Sequence, residues 1–111
     1  RKGPSVPAER DQQAIDLDND RTPLPEQVEA QTRKVLANLE TILAAAGLAK
    51  EHVVAVRIAV VDLPRLYERM NAAYEGFFSP DRLPARTCDG VRHLPRGALV
   101  AMDFVVRAGP P

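Results

Sequence analysis

The chain has 111 residues with fifteen basic and fifteen acidic side chains, so its formal net charge at pH 7 is zero. This length fits one domain, and the balanced charge argues against nucleic acid or an anionic membrane as a partner. Because it has one cysteine and no long apolar run or signal-peptide stretch, we expect a soluble cytoplasmic protein.

Residues 1–23 predict an irregular N-terminal segment. The segment carries three prolines among Asp and Arg residues, and strand-like alternation is limited to Ile15 and Leu17. Regular patterns begin at residue 24, so residues 24–111 are expected to form the folded domain.

Two stretches have the three-and-four spacing of amphipathic helices. The first begins near Pro25, which suits a first helical turn, and ends at Gly47, which suits a helix stop. The second follows Asp62, a candidate N-cap. Its buried stripe is expected to consist of Leu63, Leu66, Tyr67, Met70, Ala73, Tyr74 and Phe77. Asn71 is also expected to serve in helix packing.

Three stretches predict strands, at residues 52–61, 84–91 and 98–107. The first and third are apolar on both faces, which requires cover on both sides. Two helices can shield one face of a small sheet, and self-association is the economical cover for the other. That second face is predicted to carry Val53, Ala55, Ala59, Leu99 and Val105.

The middle strand carries the candidate binding site. Because side chains alternate along a strand, Arg86, Cys88 and Gly90 share one face. An arginine beside such small residues has space in front of its guanidinium, which suits a planar carboxylate. From spacing alone, a structural salt bridge of Arg86 is an equally good interpretation. Cys88 is predicted to line the pocket rather than to act as a nucleophile.

No metal or other cofactor is expected. His52 and His93 stand far apart in the sequence and have no acidic or cysteine partner at ligand spacing. The sequence also shows no basic stripe or paired histidines that would favour RNA cleavage.

Several motifs in register resemble one family. The run Pro84-Ala85-Arg86-Thr87-Cys88 followed by Leu94-Pro95-Arg96-Gly97-Ala98 is similar to the signature of the RidA (YjgF/YER057c/UK114) family. The likeness extends back through Asn71–Phe78 to Gln31-Thr32 and covers about residues 24 to 108. It implies an α+β fold like Bacillus chorismate mutase, mostly antiparallel, with two helices on one face. It also implies a homotrimer with sites between subunits that hydrolyses reactive enamines and imines.

The resemblance assigns roles to four residues and leaves three family features unmatched. Arg86 would hold the substrate carboxylate, and Cys88, Ala101 and Asp103 would also contribute to substrate binding. Ala101 stands where the family has a glutamate that moves protons, and Asp103 occupies the second acidic position, on the strand face expected to line the pocket with Arg86. Ser5 replaces a family tyrosine, and the family's Ser-Gly-Gln turn is absent from the sequence.

Two questions stay open on the sequence alone. Either this protein has lost the family's first strands, or a stretch near residues 10–13 is omitted from the sequence. Loss of a strand would leave a neighbouring sheet edge exposed, which favours omission. The chain is either an imine or enamine deaminase, which the family favours, or a trimer that binds a small carboxylate without turnover, which Ala101 favours. We expect the deaminase.

Overall fold

The structure of this protein is a computed structural model in which residues 22–109 are described. The expectations about residues 1–21, including Ser5 and the family's first strands, fall outside the described residues. Two helices and three strands, joined by loops and short 3₁₀ turns, make up the described chain. In order they are α1 (Leu24–Ala45), β1 (Val53–Val61), α2 (Leu63–Tyr74), β2 (Ala85–Val91) and β3 (Val100–Val106).

Helix α1 ends where the sequence predicted. Gly47 adopts a left-handed φ of 75°, which glycine reaches without steric cost. The Leu48 N–H then donates to the Leu43 carbonyl at 2.8 Å, and the Gly47 N–H donates to the Ala44 carbonyl at 3.1 Å. These two bonds form a Schellman motif that satisfies carbonyls at the helix end.

Helix α2 begins differently from the prediction. Asp62 stands at the N-cap position, but its side chain makes no capping hydrogen bond. Its backbone is left-handed, with φ 55° and ψ 53°, a conformation that aspartate tolerates better than most residues. The backbone carbonyl of Asp62 accepts bonds from the Arg65 and Leu66 N–H groups, so the helix starts there without a side-chain cap.

The strands of the described sheet have the order β2-β1-β3. β1 pairs with β2 in parallel and with β3 in antiparallel orientation. The α+β class with two packed helices is confirmed, but this part of the sheet is mixed rather than mostly antiparallel. The parallel pair arises because α2 forms a crossover between β1 and β2.

The two faces of the sheet differ in cover. On the helix side, Val56, Ile58 and Val60 are at most 3% exposed and belong to the core. The other side, here called the open face, has no cover from the described residues. It carries Ala55, Arg57, Ala59, Thr87, Asp89, Ala101, Asp103 and Val105.

The open face is smaller than predicted. An irregular register between Val53 and Ala55 breaks the alternation, so Val53 is buried with the core rather than exposed beside Ala55. Leu99 is also a core residue, whereas Val105 is 57% exposed as an open-face residue should be. Among residues 22–109, no helix is long and apolar enough to cross a membrane.

Candidate functional site

Arg86 is the centre of the candidate site. It pairs with Val56 of β1, so its side chain points to the helix side of the sheet. Its Nη1 donates to Asn71 Oδ1 at 2.6 Å, and its Nη2 donates to the Tyr67 hydroxyl at 2.7 Å. The guanidinium carbon also lies 4.9 Å from the centroid of the Tyr74 ring, within the range of a cation–π contact. Three side chains of α2 therefore fix one side chain of β2.

The helical repeat explains why these three residues meet Arg86. Tyr67, Asn71 and Tyr74 follow the i, i+4, i+7 spacing that brings side chains to one helix face. Gly90 allows α2 to begin close to β2, because a Cβ at this position would lie only 3.0 Å from Leu63 Cβ. The space expected beside Arg86 at Gly90 is therefore occupied by Leu63.

The partners of Arg86 are electrically neutral. Several other cations in the described chain do pair with carboxylates: Arg33 and Arg69 with Glu29, Lys50 with Glu40, and Arg65 with Asp62. No carboxylate among residues 22–109 lies within 4.0 Å of the Arg86 guanidinium. An amide and a phenol hold it in place without cancelling its charge, which leaves it suited to an anion.

A cleft of about 340 Å³ opens beside Arg86. Its volume lies within the range of small-molecule sites. Its lining combines aromatic rings with a few polar groups, namely Tyr67, Asn71, Tyr74, Glu75, Gly76, Phe78, Leu83, Pro84 and Arg86. The Asn71 side-chain N–H donates to Glu75 Oε2 at 3.2 Å. A hydrogen-bonded series thus runs from Glu75 through Asn71 and Arg86 to the Tyr67 hydroxyl.

The segment after α2 forms one wall of the cleft and is tied to the rest of the fold. Lys50 Nζ donates to the Phe77 carbonyl at 2.9 Å and lies 4.1 Å from the centre of the Phe77 ring. Phe77 packs edge-on against Phe78, whose ring lies 5.7 Å from that of Tyr74. Packing therefore continues from Lys50 to the ring beside Arg86.

Cys88 follows Arg86 on the same face of β2 but is not among the residues that line the cleft. Burial raises the pKa of its thiol; nearby Arg86 opposes this effect and Asp89 adds to it. A protonated, half-buried thiol packed against the core is a poor nucleophile at neutral pH. Burial also raises the pKa of the Tyr74 hydroxyl, against the opposing charge of Arg86.

Ala101 and Asp103 lie on the other side of the sheet from Arg86. They pair with Ala59 and Arg57, two open-face residues, whereas Arg86 pairs with buried Val56. Within one chain, Arg86 therefore lies on the opposite side of the sheet from Ala101 and Asp103, and a pocket that they share between subunits stays a prediction. Arg86 and Cys88 lie on the helix side of the sheet, and Ala101 and Asp103 of the same chain lie on the open face.

Sequence reasoning assigned Tyr67, Asn71 and Tyr74 to core packing. A signal was present, since three side chains with polar tips share one helix face shortly before the strand that carries Arg86. Neither histidine lines the cleft: His52 Nδ1 accepts a bond from the Ala49 N–H at 3.0 Å, and His93 is exposed after β2. Residues 22–109 contain no group of three His, Cys, Asp or Glu residues able to hold a metal ion.

A family model described as endoribonuclease L-PSP matches residues 12–108. The chain belongs to the RidA (YjgF) family. The resemblance drawn from the motifs is confirmed, and the match begins at residue 12, inside the segment predicted to be irregular. Solved structures of the YjgF family share the fold, which is the predicted chorismate-mutase-like one.

Curated relatives in the RidA family include proteins named for a reaction. The 2-iminobutanoate/2-iminopropanoate deaminase of Salmonella typhimurium is 33% identical over 82% of this chain and 72% of its own length. A RutC family protein of Synechocystis is 37% identical over 70% of this chain and 59% of its own length. The chain thus spans about three fifths of the latter relative.

Solved structures agree with this assignment. The Escherichia coli YjgF gene product is 29% identical with a TM-score of 0.67, and the match covers 83% of this chain and 72% of that one. The Rid family protein YyfA of Yersinia pestis is 32% identical with a TM-score of 0.68, over 73% of this chain and 64% of that one.

Proposed function

We propose that this chain binds a small 2-imino or 2-oxo carboxylate through Arg86 and hydrolyses the imine to the 2-oxo acid and ammonia. The observation that carries the proposal is an arginine held by two neutral side chains on the wall of a cleft. A guanidinium in this state keeps its full charge, and each terminal nitrogen keeps one hydrogen beyond its bond to Asn71 or Tyr67. A carboxylate can accept both hydrogens in a bidentate pair.

The substrate class follows from the cleft and from the relatives. Rings of Tyr67, Tyr74 and Phe78 offer apolar surface for a short side chain, while Arg86 selects for the carboxylate. Several relatives carry the name 2-iminobutanoate/2-iminopropanoate deaminase, and we extend that substrate class to this chain. The proposed setting is the cytoplasm, as the sequence led us to expect.

We further propose that the native particle is a homotrimer in which the open face is buried. Val105 is 57% exposed and Ala101 is also exposed on this face, and the described chain provides no cover for them. A neighbouring subunit would bring its own β3 towards the cleft of the first. Ala101 and Asp103 of one subunit could then serve the Arg86 of another, as the family's sites between subunits imply.

A second candidate function is carboxylate binding without turnover. The observation that favours it is Ala101, which stands where the family has its proton-transferring glutamate. A methyl group moves no proton, and Asp103, two residues along the same strand, is displaced from that position by about 6.6 Å. In this alternative the anchor at Arg86 is retained and the chemistry is lost.

Two measurements separate these candidates. Calorimetric titration with pyruvate tests the anchor, and decay of 2-iminopropanoate, generated in situ by an amino-acid oxidase acting on alanine, tests turnover. Arg86→Lys should weaken pyruvate binding by roughly 1.5 to 3 kcal/mol, because an ammonium loses the bidentate fork. Arg33→Lys, an exposed ion-pair residue on α1, is the matched control and should bind like wild type.

Each outcome has a distinct meaning. Binding with imine decay above the uncatalysed rate supports the deaminase, and binding without acceleration supports the second candidate. Equal affinity in wild type and Arg86→Lys would remove Arg86 from the site and contradict both.

A further inference from the structure

The cleft needs a group that exchanges protons with the imine, and Ala101 cannot supply one. Resting on the deaminase function proposed above, we infer that the Tyr67 hydroxyl is the proton donor of this site. Tyr67 is half-buried, lines the cleft and accepts a hydrogen bond from Arg86 Nη2 at 2.7 Å. It is the hydroxyl that the structure brings into direct contact with the carboxylate anchor.

The direction of the Tyr67 hydrogen bond matters. An arginine nitrogen has no lone pair and can only donate, so the phenol oxygen accepts and its own hydrogen must point elsewhere. Among residues 22–109, no acceptor lies in bonding position for that hydrogen. A phenol hydrogen prefers the plane of its ring, so the bond from Arg86 narrows its orientations to those directed away from the guanidinium. The hydroxyl hydrogen is thereby left available to a ligand in the cleft that Tyr67 lines.

The position of the hydroxyl also suits the substrate. Nη2 carries two hydrogens that diverge in the guanidinium plane, one for Tyr67 and one for a ligand carboxylate. At ordinary charge-assisted bond lengths, the Tyr67 hydroxyl oxygen and the ligand carboxylate oxygen that accept these two hydrogens stand about 4 to 5 Å apart. The imine nitrogen is attached to the carbon next to the carboxylate, so it can occupy the space between that carboxylate oxygen and the Tyr67 hydroxyl.

The reaction balances with no further reactant than water. The water oxygen forms a bond to the imine carbon while the C=N π pair moves to nitrogen, which takes the hydroxyl proton of Tyr67. The attacking water then loses a proton that restores the Tyr67 hydroxyl. In the carbinolamine so formed, the C–N bond breaks with proton transfer to nitrogen from the new hydroxyl group, releasing ammonia and the 2-oxo acid. No atom is oxidised or reduced overall.

Glu75 is the carboxylic acid among the residues that line the cleft, and it is the natural competitor for this role. Its carboxylate is exposed and accepts a bond from the Asn71 amide, so Asn71 separates it from Arg86. As an anion it would also repel a substrate carboxylate. Tyr67 contacts the anchor directly and carries no charge, and the geometry therefore favours Tyr67.

The test compares Tyr67→Phe, which keeps the ring and removes the hydroxyl, with Glu75→Gln and with Thr41→Val. Thr41 bonds the Ala37 carbonyl on exposed α1 and controls for loss of a hydroxyl outside the cleft. We measure kcat for 2-iminopropanoate decay and Kd for pyruvate in each variant. Tyr67→Phe should lower kcat by about 10²- to 10⁴-fold. Its Kd should rise about tenfold or less, the effect of one lost hydrogen bond.

Four results would overturn the inference. These are a kcat for Tyr67→Phe within threefold of wild type, equal losses in kcat and affinity, the large kcat loss in Glu75→Gln instead, and an inactive wild type. Equal losses would make Tyr67 a positioning residue for Arg86. A wild type that binds pyruvate but hydrolyses no imine would overturn the proposed deaminase as well. That outcome is distinct from an active wild type that is insensitive to Tyr67→Phe.

Discussion

Replacing Asn71 by aspartate tests why Arg86 is held by neutral groups. The substitution keeps the size and the acceptor oxygen that now lies 2.6 Å from Arg86 Nη1, and it adds one negative charge. If Arg86 anchors an anionic ligand, that charge should compete with the ligand. We expect Asn71→Asp to fold and to bind pyruvate more weakly.

The size of the effect follows from the geometry. Two carboxylates on opposite sides of one guanidinium stand about 6 Å apart, given ordinary charge-assisted bond lengths. Their repulsion is roughly 0.7 kcal/mol at the dielectric constant of water and about 3 kcal/mol at an effective value near 20. These limits correspond to about three- and a hundredfold in Kd. The cleft is open to solvent, so we expect about tenfold, with a smaller difference at high salt.

The assay is calorimetric titration with pyruvate at two ionic strengths. Asn38→Asp is the matched control, because it makes the same charge change on α1, facing a groove with Met102 and Phe104 rather than the Arg86 cleft. It should bind like wild type. An Asn71→Asp variant that is folded and binds pyruvate with unchanged affinity at low salt would show that the ligand does not use Arg86.

Four further predictions concern other parts of the molecule. Val105→Asp on the open face should convert the proposed trimer to smaller particles in light scattering, and a monomeric wild type would contradict that proposal. Cys88 should react slowly with iodoacetamide at pH 7 and faster only above the ordinary thiol range, because burial raises its pKa; fast reaction at pH 7 would contradict this. Lys50→Met should speed amide exchange at Phe77, whereas Lys50→Arg should not. In a Tyr67→Phe background, Ala101→Glu should raise imine hydrolysis about 10²- to 10⁴-fold in the assembled protein, and no gain would mean that β3 does not serve the site.

Much of the fold could be predicted because it depends on local patterns. Apolar spacing located both helices, and Gly47 ends α1 through a left-handed turn that glycine favours. Alternation located the strands and correctly placed Val105 on an uncovered face. The register irregularity beside Val53 could not be foreseen, because the extra residue is defined by pairing with β3 rather than by the residues of β1.

The site was predicted in part. Arg86 was found from its strand and motif, but its partners on α2 required knowledge of how the helix crosses the sheet. Alternation within a strand shows which residues share a face, but it does not show which face of one strand matches which face of another. Ala101 and Arg86 lie on β3 and β2, which do not pair directly, and the register of each with β1 decides their relation.

The sheet separates Arg86 from Ala101. Carboxylate binding therefore depends on a single chain, whereas any chemistry supplied from position 101 depends on the assembly. The anchor Arg86 and its two neutral partners, Asn71 and Tyr67, all come from α2 and β2 of one chain, so they are in place without a neighbour. Anything contributed by β3 must come from a second subunit, because the open face points away from the cleft. A proton donor on Tyr67 would therefore let the chain carry out the proposed chemistry without the glutamate that the resemblance to the family expects at position 101. Activity would then depend on assembly less for supplying a reacting group than for excluding bulk solvent around the one water that reacts.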